Sequence, residues 1–220
     1  MKKQALMVLA LLATSYMSAA HAQLAEINLQ QTLDEPRGWC VDLFAHLTNA
    51  LPLGGFQGHT CFLDMGRGPT EDQGFEIAPI KDSGKFRLAY FNMCMTMQEP
   101  KPGSYVGAEP CVDEPAQKFT MRPDGRIVSA SSPQLCLTLG DRTVPGGGRL
   151  ARAGSRPPAT NFDIPQIRRL SFESCSAAKS KLQRWQLRTT YARSTRSEPS
   201  LFLGPEDLPH AATAPAGTSR

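Results

Sequence analysis

The pattern of apolar and polar positions changes character along the chain, and each change marks an element. Ala5 to Met17 is a largely apolar run, shorter than the roughly 20 residues needed to cross a bilayer as a helix. Residues 23–32 read as a polar lead-in. From about 33 to 190 the chain is a succession of short strand candidates separated by turn residues. Phe86, Leu88 and Tyr90 alternate with period two across Lys85 to Tyr90, which predicts one face of a strand. Met93, Met95 and Met97 alternate in the same way and read as flexible core filler rather than as metal ligands. Lys118 to Met121 and Arg126 to Ser129 flank Arg122-Pro123-Asp124-Gly125, whose Pro and Asp-Gly supply the backbone angles of a tight reversal, so a hairpin is predicted there. The pattern is interrupted over 140–168, an enlarged loop carrying Pro145-Gly146-Gly147-Gly148 and the arginines Arg142, Arg149, Arg152, Arg156 and Arg168, with Arg169 just past its end. Without interleaved aromatics this segment reads as a solvated loop. Residues 191–220 have the composition of a disordered tail.

Beneath the alternation lies a repeat. Trp39-Cys40-Val41-Asp42-Leu43 is followed by Cys61 and then Gln73-Gly74-Phe75. Met93-Cys94-Met95-Thr96 is followed by Cys111 and Gln117-Lys118-Phe119. Leu135-Cys136-Leu137-Thr138 is followed by Cys175 and Gln183-Arg184-Trp185. All six cysteines fall inside these copies, two in each. Six cysteines allow 15 pairings, and the repeat selects Cys40–Cys61, Cys94–Cys111 and Cys136–Cys175.

Address and composition narrow the chemistry. Lys2 and Lys3, the short apolar run and Ala20-His21-Ala22 predict a signal peptide over 1–22. The mature chain is then exported, periplasmic or extracellular, and its cysteines are expected as disulfides. No Cys-x-x-Cys motif points to zinc or thioredoxin chemistry. The formal charge of +4 falls to +2 without Lys2 and Lys3, which gives no argument for nucleic acid. No later stretch predicts a membrane span. Eighteen Pro and eighteen Gly favour strands and turns over long helices.

The three copies, each with its cysteine pair and closing Gln-x-aromatic, resemble the repeats of the ricin B-chain-type lectins. The resemblance covers about 33–190. It implies an all-β fold, a β-trefoil of three four-stranded repeats with three intra-repeat disulfides, in which Phe75, Phe119 and Trp185 belong to the core. It also implies a shallow sugar pocket in each functional copy: an Asp just after the first Cys, an aromatic or His platform near the second, a Gln two residues before that platform, and Asn or Asp before the closing Gln. In the first copy Asp42, Gln57, His59, Asp72 and Gln73 match. In the second and third, Thr96, Glu109 and Ala116, and Thr138, Glu173 and Leu182, stand in the corresponding places. Taken alone, Asp42 reads equally as a solvent-facing strand residue, and His59 as a surface residue. The retained set gives them weight together.

No other chemistry competes. Gly-x-Ser-x-Gly, His-Glu-x-x-His and Gly-x-Gly-x-x-Gly are absent, and Gly146-Gly147-Gly148 lacks the Lys-Ser/Thr of a phosphate loop. A shallow pocket does not desolvate a carboxyl enough for glycosidase acid catalysis. The expectation is therefore a lectin-like, carbohydrate-binding protein, not an enzyme and without cofactor or metal. Its partner would be a glycan or polysaccharide. The alternative is a trefoil with eroded sugar sites that serves a catalytic or toxin partner protein.

Overall fold

The computed structural model describes residues 22–63, 66, 68–146 and 164–189. The expected signal peptide up to residue 21, the middle of the 140–168 segment and the expected tail lie outside the described residues. Twelve strands follow in order: β1 (Leu24–Leu29), β2 (Trp39–Leu43), β3 (Phe56–Thr60), β4 (Phe75–Glu76), β5 (Arg87–Leu88), β6 (Met93–Met97), β7 (Ser104–Pro110), β8 (Phe119–Met121), β9 (Ile127–Ser129), β10 (Leu135–Pro145), β11 (Gln166–Ser174) and β12 (Trp185–Arg188). Among the described residues the helices are short: α1 (Ile77–Ser83), α2 (Ser180–Gln183) and 3-10 turns such as Leu47–Asn49, Pro52–Gly54 and Pro115–Gln117.

Four strands belong to each repeat, and the outer two of each build a barrel. β1 pairs with both β4 and β12, β4 with β5, and β8 with β9, all antiparallel. Backbone bonds from Phe119 to the Gly84 carbonyl and from Trp185 to the Gly125 carbonyl carry the ring across the remaining seams. The inner two strands form the hairpins β2–β3, β6–β7 and β10–β11, and β11 joins the other two hairpins by pairing with β7 and β3. This is a β-trefoil. The aromatics that close each copy, Phe75, Phe119 and Trp185, are buried in its core. Phe119 stacks on Phe172 at 5.1 Å, and Phe56 packs on Phe75 at 5.6 Å. Burying such side chains contributes roughly 1.5–3 kcal/mol each. The three cysteine pairs are bonded within their own repeats as the repeat pattern predicts.

The predicted hairpin forms between β8 and β9, with Met121 opposite Ile127. Its turn needs Gly125, which has φ 88°. A Cβ there would stand 3.0 Å from the Trp185 carbonyl oxygen.

Three expectations are corrected. The 23–32 lead-in is strand β1, because Ala25, Ile27 and Leu29 alternate as one apolar face and sink into the core between β4 and β12. Its polar partners do not face water: Glu26 is ion-paired to Arg188 at 2.8 Å, and Asn28 donates to Cys61 Sγ at 3.2 Å. The strand foreseen over Lys85 to Tyr90 shrinks to Arg87–Leu88. Phe86 and Leu88 are buried as the alternation requires, but the chain turns at Ala89 to Asn92, with Asn92 at φ 52°, and Tyr90 is 58% exposed. The 140–168 segment is not loop at its ends: β10 runs on to Pro145, and β11 begins at Gln166, past a register shift between Leu139 and Thr143. Arg168 fixes that root by pairing with Asp34 at 2.7 Å and lying 4.8 Å over the Trp39 ring.

Candidate functional site

The first repeat brings its five matching residues together. Asp42 on β2 lies directly opposite Gln57 on β3, and His59 lies opposite Cys40. Both pairs point to the same face because positions two apart share a side of a strand. Asp72 and Gln73 arrive from the turn before β4, where the Gln73 amide bonds the Thr70 carbonyl. Gln57 Nε2 donates to Asp42 Oδ1 at 2.9 Å, and Gln73 Nε2 donates to Oδ2 at 2.9 Å. Asp72 accepts from Thr70 Oγ1 at 2.7 Å and from the Leu47 amide. His59 Nδ1–H donates to the Thr60 carbonyl at 2.8 Å, and its ring lies 5.2 Å from Phe62.

The glutamine that closes each repeat does the same work three times. Gln73 also bonds the Thr60 carbonyl and accepts from the Phe62 amide. Gln117 bonds Thr96 Oγ1 and the Pro110 carbonyl, and accepts from Val112. Gln183 bonds Thr138 Oγ1 and the Ser174 carbonyl, and accepts from Ser176. The position two residues after the first Cys is thus the acceptor for this amide in every copy. A threonine hydroxyl suffices in the second and third copies.

The first-repeat cluster does not line an open pocket. Asp42, Asp72 and Gln73 are fully buried, with His59 5% and Gln57 8% exposed. The segment Phe44 to Gly55 closes on the cluster at Leu47, whose amide donates to Asp72, and no motif in the sequence places it there. It folds back through bonds from Phe44 to the Gly55 carbonyl and from Leu51 to the Phe44 carbonyl, with 3-10 turns at Leu47–Asn49 and Pro52–Gly54. The Leu47–Asp72 bond pins it down. Its exposed residues include three large apolar ones, Phe44, Leu51 and Leu53, beside His46, Thr48 and Asn49.

Burial shapes the charges beneath. Desolvation, with the Asp72 carboxylate next and Glu26 behind it, pushes the Asp42 carboxyl well above the usual carboxylate range, against the opposing hydrogen bonds of Gln57 and Gln73. Desolvation holds the His59 imidazole below its ordinary value, against the Thr60 bond and Asp72. The corresponding place in the third repeat is open instead. A cavity of about 660 Å³ is lined there by Thr138, Arg142, Arg169, Glu173, Lys179 and Leu182 among others. A further cleft between the first two repeats, of about 430 Å³, was not signalled by any motif.

Glu26, Cys40 and Cys61 place ligand atoms within 4.8 Å of one another, but the sulfurs are bonded to each other and the carboxylate is ion-paired. Among the described residues no helix is long and apolar enough to cross a membrane.

No family model and no curated protein sequence matches the chain. Among solved structures it is similar to an agglutinin from Abrus precatorius, with 15% identity, 76% of this chain covered and a TM-score of 0.45; the chain spans 46% of the length of that agglutinin chain. It is also similar to the β-trefoil lectin of the Vibrio vulnificus hemolysin/cytolysin, solved with N-acetyl-D-lactosamine bound, at 15% identity, 78% and 98% coverage and a TM-score of 0.44. The cytolethal distending toxin of Actinobacillus actinomycetemcomitans is similar at 17% identity, 80% and 97% coverage and a TM-score of 0.46. These likenesses concern the fold alone. Strand order, barrel closure and the thrice-repeated glutamine bond carry the assignment: the chain has a ricin B-type lectin-like β-trefoil fold.

Proposed function

We propose that the protein is a carbohydrate-binding module that works outside the cytoplasm, where its three disulfides persist, and that its first repeat holds the sugar site under a movable cover. One observation carries this reading. Asp42 fills a place whose scaffold duty Thr96 and Thr138 perform with a hydroxyl, yet it is a fully buried carboxyl beside a second one, an arrangement that costs stability. A carboxylate retained against that cost fits a ligand with adjacent hydroxyls, to which charge-assisted bonds are strongest. Asp72, Gln57 and the His59 ring supply the rest of a pyranose site once Phe44 to Gly55 lifts. A monosaccharide site of this kind binds near the millimolar range, about −4 kcal/mol, and the covered state lowers the apparent affinity by the fraction of molecules open.

The test uses the third repeat as its template, where Thr138 stands opposite Ser171. The double variant Asp42→Thr/Gln57→Ser keeps an acceptor for Gln73 and folds. Titrating both proteins with a panel of methyl pyranosides, read by NMR at the side-chain amides of Gln73 and the His59 ring, separates the outcomes. Saturable shifts in the wild type that vanish in the variant support the site. Equal shifts in both, or none in either, sink it.

A second reading rests on the exposed Phe44, Leu51 and Leu53, which make the cover itself a docking face for a catalytic or toxin partner protein. Association that Leu53→Asp abolishes, with sugar titration unaltered, favours this reading.

A further inference from the structure

The cleft between the first and second repeats lies away from the cluster described above and is open. Leu24, Pro69, Thr70, Glu71, Ala89 and Tyr90 line it. The turn Thr70 to Gln73 separates the two places: Asp72 and Gln73 bond inward to the first-repeat cluster, while Glu71 and Pro69 line the cleft.

Its groups are fitted to a ligand with one apolar face and a polar rim. Tyr90 presents most of its ring to solvent, and Phe91 holds that ring edge-on at 5.0 Å. The turn that ends β5 sets the ring at the cleft wall, through the bond from the Ala89 amide to the Gly74 carbonyl at 3.0 Å and the left-handed Asn92. Glu71 is half-buried beside it. Neither the Glu71 carboxylate nor the Tyr90 hydroxyl has a hydrogen-bond or ion-pair partner among the described residues. Gly74 also lines the cleft, and a Cβ there would stand 2.8 Å from the Thr70 carbonyl oxygen and 3.4 Å from Leu24 Cδ1. A partly desolvated acceptor and a free hydroxyl beside an aromatic face, in a cleft of about 430 Å³, match the size and chemistry of small-ligand sites.

We infer that this cleft is a second glycan subsite, taking a pyranose whose C–H face stacks on Tyr90 and whose hydroxyls bond Glu71 and the Tyr90 hydroxyl. A quaternary ammonium is the competing ligand chemistry, but it is bound best when several aromatic faces enclose it, and Tyr90 is the one aromatic among the lining residues. The inference is independent of the first-repeat reading, since this cleft needs no cover to move.

The test is a titration of the 15N-labelled protein with methyl glycosides of glucose, galactose, mannose and N-acetylglucosamine, with tetramethylammonium in parallel. Saturable shifts are expected at the amides of Glu71, Gly74, Ala89 and Tyr90. Tyr90→Ala weakens them about tenfold or more, Tyr90→Phe retains most of the binding, and Glu71→Gln weakens it with the fold intact. Asp42→Thr/Gln57→Ser leaves these shifts in place while acting on those of the Gln73 side chain, so failure at one site is distinguishable from failure at the other. Absence of shifts at the cleft with every glycoside, an unchanged titration in Tyr90→Ala, or stronger binding of tetramethylammonium than of any glycoside overturns the inference.

Discussion

Asp42 and His59 sit in the same buried cluster and respond to pH in opposite senses. The folded state holds the Asp42 proton to a higher pH than the unfolded chain, which releases it near pH 4. The folded state therefore binds more protons in that window, and Asp42 withdraws stability as pH rises from about 4 through its raised value. The His59 imidazole is depressed, so the unfolded chain takes up a proton below about pH 6.5 before the folded one does, and stability is lost as pH falls from there. Urea titrations across pH, with disulfides intact, should show Asp42→Thr/Gln57→Ser gaining on the wild type as pH rises above about 4. His59→Gln should flatten the loss below about 6.5. A curve unchanged by either substitution refutes the corresponding assignment. Protonation also has a structural route: Gln73 is fixed because its Oε1 accepts from Phe62, whereas Gln57 can turn its amide to accept a proton from Asp42. None of this was legible in the sequence, where Asp42 and Gln57 could be matched to a pattern but not seen to bond each other under a cover. Which residues matched was legible; whether water reaches them depends on how Phe44 to Gly55 folds, and that segment carries no periodic signal.

At the scale of elements, the repeat made the barrel readable because its punctuation is chemical. The Gln-x-aromatic triplets place one residue in the core and one amide against the preceding hairpin of their own repeat, and the β8–β9 turn needs its glycine. Gly125→Ala should cost about 1–3 kcal/mol by forcing a side chain into a positive-φ position against the Trp185 carbonyl, seen as a lowered urea midpoint with an unchanged slope; a neutral result would mean that the turn has another conformation. Elements were misread where strands are too short for alternation to speak. β5 has two residues, so the period-two face seen in Phe86, Leu88 and Tyr90 outruns it, and the turn that follows delivers Tyr90 to the surface. β1 was misread for the opposite reason. Its alternation is clear, but Glu26 and Asn28 gave it a polar look, and their partners Arg188 and Cys61 lie far off in sequence.

The whole molecule is three similar units with unequal exposure. Both sulfurs of Cys40–Cys61 are in fully buried residues under Asn28, whereas Cys111 and Cys175 are partly exposed. Native-state reduction followed by alkylation and mass spectrometry should therefore open the second and third bonds first and the first bond last, because attack on a disulfide needs access to sulfur. Early loss of Cys40–Cys61 would show that the first repeat opens more readily than its burial implies. Each bond closes a loop of 17 to 39 residues, which stabilises by roughly 3–4 kcal/mol in the chain-entropy account.

The pairing of β1 with β12 also bears on biogenesis. Asn28 and Gln186, bonded to each other, are 158 residues apart, so β1, the first described strand, has β2 and β4 at hand but meets β12 only after nearly all the described chain has followed. Contacts of such separation form late, after the entropy of closing the long loop has been met. Until then the β12 side of β1 is an unpaired edge that would aggregate if the strand were uniformly apolar. The alternation of Glu26 and Asn28 with Ala25, Ile27 and Leu29 keeps that waiting strand soluble, and the barrel locks once β12 arrives.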